Sequence, residues 1–481
     1  MKHASTPLLN NYARRGALLL ALGAAAPATW GQSFSPVSFY SAGSASAGSG
    51  GALSGVVLGD VTGDGRLDVV ASNYAGNGVA VLPGLAGGNF ASPGFEYSTG
   101  SGSVPNSIAL ADLNGDGRLD AVAANQRTYS AGVLLGQATG VFAPVSLYSV
   151  GANKLPVQVA LGDVNGDGRP DIVTCNSFDN EIAVLLAQTS GGVAPASAYA
   201  TGTGGSAGVA LGDVNGDGRL DIVTGKNNAA GVLLGQAGGT FAPITTYPFG
   251  SGASGGANDV ALGDLNGDGR LDIVFVDPNR ASTIVLLGQA SGGFGSASAY
   301  ATNGNTPMGV VLGDVTGDGR LDIVTANGAG TVSVLPGMAG GTFATAVVFP
   351  IGPNTTPADV ALGDLNGDGR LDIVTGLFAN ITNNVGVLLN TGTYNPLATT
   401  RPTAADLTLA PNPAHEAFTV QLPAGLAPTS AELLNTLGQV VRRPAVGAGS
   451  FTVATSGLAP GIYTLRLRAG GEALARRVVV E

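Results

Sequence analysis

Residues 212–221 read Gly-Asp-Val-Asn-Gly-Asp-Gly-Arg-Leu-Asp, and this string or a near copy occurs seven times along the chain. The leading aspartates are Asp60, Asp112, Asp163, Asp213, Asp264, Asp314 and Asp364, at intervals of 52, 51, 50, 51, 50 and 50 residues. Such a period marks a repeat architecture. Each unit has one internal order. An apolar run (Val56–Leu58, Val209–Leu211) leads into the acidic string, and a β-branched run (Leu220–Thr224, Leu321–Thr325) leaves it. A polar turn precedes a third run (Gly231–Leu234, Ile284–Leu287), and glycine-rich turns introduce an aromatic segment (Phe142–Tyr148, Phe241–Tyr247). Four short runs separated by turn residues, with no helical periodicity, predict four antiparallel strands per unit. The expectation is an all-β chain whose residues 32–395 form a seven-bladed β-propeller with calcium-binding loops. The aromatic segment also precedes the first loop, at Phe34–Tyr40, and only a weak version follows the seventh unit, around Tyr394-Asn395-Pro396. An N-terminal strand that completes the last blade would close the ring and remove exposed sheet edges.

The acidic strings carry the chemistry. Acids stand at relative positions one, five and nine, Asn or Thr at three, and glycine at six, where the chain must turn tightly. The first loop offers Asp60, Thr62, Asp64, the carbonyl of Arg66, and Asp68; the second offers Asp112, Asn114, Asp116, the Arg118 carbonyl and Asp120. The third and fourth offer Asp163, Asn165, Asp167, Arg169 and Asp171, and Asp213, Asn215, Asp217, Arg219 and Asp221, again with the arginine as a carbonyl. The fifth has Asp264, Asn266, Asp268, Arg270 and Asp272; the sixth Asp314, Thr316, Asp318, Arg320 and Asp322; the seventh Asp364, Asn366, Asp368, Arg370 and Asp372. Alternating oxygen donors on a turning backbone suit one hard cation, so up to seven calcium ions are expected. Hairpin formation alone would explain the glycines but not three carboxylates per loop, which repel unless neutralised. Position twelve lacks the glutamate of an EF-hand (Ala71, Thr174), and strands rather than helices flank the loops. Thr62 and Thr316 mark the sites expected to be weakest.

These residues resemble the FG-GAP/VCBS-type repeats, whose calcium-loop blades also form the head of integrin α chains. The resemblance spans roughly residues 34–393 and implies calcium loops on one face, with ligands often bound on the other. Several copies depart from the name-giving Phe-Gly pair: Phe142-Ala143 and Phe241-Ala242 lack the glycine, and Val193 replaces the aromatic.

Composition narrows the function classes. The chain has 481 residues, 78 of them glycine, and a net charge of −11, which opposes the basic footprint of a nucleic-acid binder. A hydrophobic share of 44% opposes ordinary disorder. Residues 1–31 read as a signal peptide: Lys2, Arg14 and Arg15 precede the apolar stretch Gly16–Ala28, which is too short to span a bilayer. A buried core helix is the alternative for that stretch, and no later segment is apolar enough to cross a membrane. Cleavage before Gln32 would take the charge from −11 to −14, which seven divalent ions would balance. After a Pro/Thr/Ala linker at 396–405, residues 406–481 read as a small β-sandwich. Its markers are Pro411-Asn412-Pro413, Leu437-Gly438-Gln439, Gly457-Leu458, Gly461-Ile462-Tyr463 and Arg476-Arg477-Val478-Val479-Val480. They resemble the C-terminal sorting domain of the Bacteroidetes type IX secretion system. That resemblance implies handling by the type IX machinery and a secreted or cell-surface location; a generic accessory sandwich is the alternative.

Little catalytic inventory remains. The mature chain would keep only His415, outside the ring, and Cys175 stands where other copies place Gly225 or Ala326. Of 32 acids, 21 belong to the loops, leaving Glu96, Asp179, Glu181, Asp259, Asp277 and Asp359 in the propeller, which read as single exposed turn acids. The turns between second and third strands differ most between units. They nominate Tyr74, Arg127, Tyr129, Phe178, Asp179, Lys226, Asp277, Arg280 and Phe378 as ligand-binding residues, because loops on a rigid framework are where binding sites are built. Drift of solvent-exposed turns would produce the same divergence. The expected function is a non-enzymatic binding or adhesion scaffold for an extracellular glycan or protein. The alternative is a carbohydrate-active enzyme or accessory domain using carboxylates of the variable face.

Overall fold

The computed structural model describes residues 33–43, 52–138, 142–189, 192–249, 258–378 and 384–392 of the repeat region, and 408–480 with short breaks. The expected signal peptide, the linker, the Tyr394 segment and Leu437-Gly438-Gln439 lie outside the described residues, as does the side chain of Phe178. Seven four-stranded antiparallel sheets make up the repeat region. In the fourth unit the strands are Val209–Gly212, Asp221–Lys226, Ala229–Leu233 and Thr245–Pro248. The acidic loop joins the first to the second strand, and the divergent turn joins the second to the third. Loops and divergent turns therefore lie at opposite ends of every sheet.

Burial follows strand order. Second strands such as Asp272–Asp277 are buried at every residue, because both faces of each sheet are covered by neighbouring sheets. Fourth strands such as Ser298–Ala301 are mostly exposed and form the outer wall. First strands pack against one another in turn, and that of the seventh unit, Pro357–Gly363, packs on that of the first, Leu53–Gly59. The ring is closed by the N-terminus, as expected. Ser38–Tyr40 pairs antiparallel with Val385–Val387 and becomes the fourth strand of the seventh sheet. Ser35 N–H donates to the Leu389 carbonyl at 2.8 Å, and Ala42 N–H to the buried Asn384 Oδ1 at 2.9 Å.

The aromatic segment turns out to be two elements with one purpose. Its tyrosine lies on the fourth strand and meets, edge to face, the phenylalanine of the next unit: Tyr40 on Phe90, Tyr97 on Phe142, Tyr199 on Phe241, Tyr247 on Phe294 and Tyr300 on Phe343, with centroids 5.2–5.5 Å apart. Phe349 and Phe34 make the same junction at 4.9 Å. One junction lacks the pair, because Val193 stands opposite Tyr148. A groove of about 410 Å³ opens there, lined by Leu147, Tyr148, Val193 and Pro195 among others.

The C-terminal region folds separately in sequence into a three-stranded sheet (Thr408–Ala410, Ala417–Gln421, Ser450–Ala454) and a four-stranded one (Val440–Arg442, Ser430–Leu434, Gly461–Ala469, Glu472–Val480). Alternating inward residues, including Phe418, Val420, Leu433, Phe451, Leu465 and Val478, form one core between them.

Restoring the missing aromatic is expected to tighten the ring. Val193→Phe should gain roughly 1 kcal/mol from the edge-to-face contact and raise the melting temperature by about 2–4 °C. An unchanged or lower value in a thermal scan would show that the groove is not an unfilled junction.

Candidate functional site

The five acidic loops with Asn at position three share one geometry, while in the first and sixth the Thr62 and Thr316 N–H groups turn to Asp68 and Asp322. In the fourth, Asp213 Oδ1 accepts the N–H groups of Gly216 (2.7 Å) and Asp217 (3.0 Å), while its Oδ2 accepts that of Gly218 at 2.7 Å. Gly218 has φ +84°, a left-handed conformation that favours glycine. Asn215 Oδ1 accepts the Asp217 N–H at 2.8 Å, and Asp217 pairs with the Arg219 guanidinium at 2.5 Å. Asn215 and Asp217 remain exposed. Asp221 is different: it is wholly buried, and its two oxygens accept the N–H groups of Val214 (3.0 Å) and Gly235 (2.7 Å). The same tie recurs at Asp68, Asp120, Asp171, Asp272, Asp322 and Asp372, joining loop to third-strand end in every sheet. Burial pushes these carboxyls above the usual range and the backbone donors pull against it; Asp322 is raised to about 6. Sequence reasoning saw position nine only as a ligand and missed this structural bond, whose partners are backbone groups invisible to a motif.

The donor set fits calcium in kind. Positions one, three and five bring exposed or half-exposed oxygens onto one tight turn, and each loop with three aspartates and one arginine carries a net −2. Among the described residues no three His, Cys, Asp or Glu side chains group closely enough to hold a metal by themselves, so a cation would depend on amide and carbonyl oxygens as well.

At the other end, the nominated residues separate. Tyr74 and Phe378, from the first and seventh units, meet edge to face at 5.2 Å, with Phe378 41% exposed. Lys226 is buried, donating to the carbonyls of Thr201 and Gly202. Asp277 is buried against Arg280 at 2.8 Å, and Asp179 lies 3.8 Å from Lys154, which also holds Glu181 at 3.0 Å. Arg127 and Tyr129 sit on the second unit's turn but do not line the cavity described next.

That cavity, of about 440 Å³, occupies the ring axis beneath Tyr74 and Phe378. Its wall comes from one register position of the first strands: Gly55, Ser107, Gln158, Asp259, Gly309 and Asp359. Bulges at this point in five of the sheets free backbone N–H groups from the ladder. Side chains of the preceding sheet take some of them up: Asp259 Oδ2 accepts from Val310 at 2.8 Å and Asp359 Oδ2 from Val56 at 2.9 Å. Gln158 accepts the Val209 N–H and donates to Asp259 Oδ1 at 2.6 Å. The expectation of single exposed turn acids fails for Asp259 and Asp359 here, as it does for the buried Asp277. Asp259 is buried and Asp359 half-buried in the cavity wall; Asp359 follows the bulge of the seventh sheet, and Asp259 immediately precedes the first strand of the fifth. Burial raises both carboxyls, and the Asp259 charge raises Asp359 further. Cys175 is buried among Val173, Ile182 and Ile222, and burial pushes its thiol up to about 12, as suits a packing residue.

Six overlapping matches to the FG-GAP-like repeat cover residues 60–123, 112–174, 164–224, 213–275, 264–325 and 314–375. The chain belongs to the FG-GAP-like repeat family. Residues 408–481 match the secretion system C-terminal sorting domain, which marks this FG-GAP protein for type IX export in Bacteroidetes. No helix among the described residues is long and apolar enough to cross a membrane. No curated protein matches the sequence. Among solved structures, virginiamycin B lyase from Staphylococcus aureus is 14% identical with a TM-score of 0.50, over 74% of this chain and 99% of that one. BBS1N in complex with ARL6DN is 12% identical with a TM-score of 0.52, over 76% and 98%. The V. cholerae biofilm matrix protein Bap1 is 14% identical with a TM-score of 0.40, over 74% and 91%. At these identities the likeness to the first two concerns the fold alone.

The two kinds of loop aspartate should separate by mutation. Asp221→Ala orphans two buried N–H groups and is expected to cost about 2–5 kcal/mol with or without calcium. Asp217→Ala removes an exposed, solvent-screened ion pair and is expected to cost far less in EGTA. Equal losses for both variants in chelator, measured by denaturant unfolding, would contradict the assignment of position nine as the structural tie.

Proposed function

We propose that this FG-GAP protein is an exported, calcium-stabilised binding scaffold, without catalytic activity, that engages an extracellular glycan or protein through the face opposite its acidic loops. The observation that carries this reading is the axial cavity: a concave site beneath the half-buried Tyr74 and the exposed Phe378, walled by Ser, Gln, Asn and Asp side chains. Sites of this size, apolar at one edge with a few convergent polar groups, are the usual form of small-ligand pockets. Adhesion follows if the tail leaves the protein on the cell surface.

Calcium, when bound, would supply positive charge to turns that otherwise gather three carboxylates around one arginine. Asp213, Asn215, Asp217 and the Arg219 carbonyl would hold it in the fourth loop, with equivalents in the others. The chain's own contribution is the Asp213 turn, which preorganises the oxygens through three backbone N–H bonds. Of the acids on that face, Asp179 and Asp277 each lie beside a cation, 3.8 Å from Lys154 and 2.8 Å from Arg280.

Two measurements test the proposal. Calcium at a hundredfold excess over the dissociation constant should add about 2.7 kcal/mol per site, so EGTA should lower the melting temperature markedly. No change, together with no bound calcium by elemental analysis, would remove the metal from the proposal. A glycan array and pull-down with the propeller should show binding weakened at least tenfold by Phe378→Ala and Tyr74→Ala. Turnover of a polysaccharide by the propeller would replace the scaffold reading with the enzymatic one.

A further inference from the structure

Two carboxylates face the axial cavity from the fifth and seventh sheets, and the sheet between them contributes no side chain at that level. The intervening residue is Gly309, where a Cβ would come within 2.9 Å of the Asp359 Cα. Asp359 itself takes the space over Gly309, its Oδ1 lying 2.8 Å from where that Cβ would sit, so no side chain of the sixth sheet can enter at this register position. Among the described residues no Lys, Arg or His lines the cavity, and Tyr74 is the only other titratable residue there. Asp359 takes one backbone N–H on each oxygen, and Asp259 takes two backbone N–H groups and the Gln158 amide. A carboxylate has about four acceptor positions, so both keep capacity for a further donor. At the mouth, the Tyr74–Phe378 pair provides a ring face for a sugar or a cation.

Resting on the glycan-binding reading above, we propose that the axial cavity accepts the terminal residue of a glycan bearing a free, protonated amino group, with the sugar against Tyr74 and Phe378 and the ammonium between Asp259 and Asp359. An ammonium carries three donors and one compact charge, which matches two carboxylates with spare acceptors on the wall of one cavity. A metal ion would find two carboxylates here and no third acid among the described residues. A neutral or N-acetylated sugar would leave the pair without a counter-charge. Burial and mutual repulsion favour a proton on the pair at acidic pH, and the ligand must displace it. Affinity should therefore rise as pH climbs out of the acid range and fall once the amine itself deprotonates.

The test is calorimetric titration of the propeller in calcium with chitobiose, its deacetylated counterpart and cellobiose. Salt at about 0.15 M screens the exposed acidic loops. The deacetylated disaccharide is expected to bind at least about tenfold more tightly than the other two, and more tightly at pH 7 than at pH 5. Asp259→Asn and Asp359→Asn should shrink that preference to about twofold while neutral-sugar binding persists. Equal binding of all three disaccharides by the unmodified protein would overturn the amine assignment and leave the glycan reading standing. So would an undiminished preference in folded variants. Failure of every oligosaccharide to bind, here and on the array, would instead overturn the glycan reading and this inference with it.

Discussion

The rest of the propeller depends on one buried charge repeated seven times. The aspartate that opens each second strand has no exposed surface, yet it is held in place by the backbone of its own loop on one oxygen and by the end of the third strand on the other. An unpaired buried carboxylate would cost several kcal/mol; with two or three charge-assisted donors it becomes a clamp. The clamp sets where the loop starts, where the third strand stops, and hence the register of the sheet. The first and fifth loop positions can face outward because the ninth does not.

Between sheets the cohesion is apolar, with directional contacts at the inner and outer radii. Valine, isoleucine and leucine from adjacent second and third strands form the clusters that join neighbours, such as Val223, Val232, Ile273 and Ile284. At the outer radius the Tyr-on-Phe contact repeats from sheet to sheet, including the junction made by the N-terminal strand. At the inner radius, side chains from bulged first strands cross to the next sheet's backbone. Because that inner layer is polar and varies between units, the axis can acquire a chemical character without disturbing the framework. Here the variation places Gln158, Asp259 and Asp359 around one cavity and glycine between the acids.

The residues nominated from divergence of the turns fared unequally for a physical reason. Divergence shows that a position is free of the repeat's constraints but not what the side chain touches. Lys226 and Asp277 diverge because they fill local junctions, one capping the carbonyls of a neighbouring strand end and the other holding Arg280. Tyr74 and Phe378 lie about three hundred residues apart in sequence and become neighbours only because the seventh sheet closes on the first. Asp259 and Asp359 were visible as acids outside the loops. A period-aligned comparison of the residue before each first-strand valine or isoleucine, which runs through Gly, Ser, Gln and Asp, was the signal available for them.

By itself the sequence determined the strand content, the period, the acidic turns, the aromatic closure from the N-terminus and the sorting tail. These are local patterns: two-residue alternation, turn chemistry and motif spacing act within a few residues and are written contiguously. Only the tertiary structure decided which acids are clamps, which are free, and which share a wall. Those outcomes depend on backbone donors and on units brought together by ring closure, and neither the direction of a bulge nor the neighbour across an axis is encoded within any one repeat.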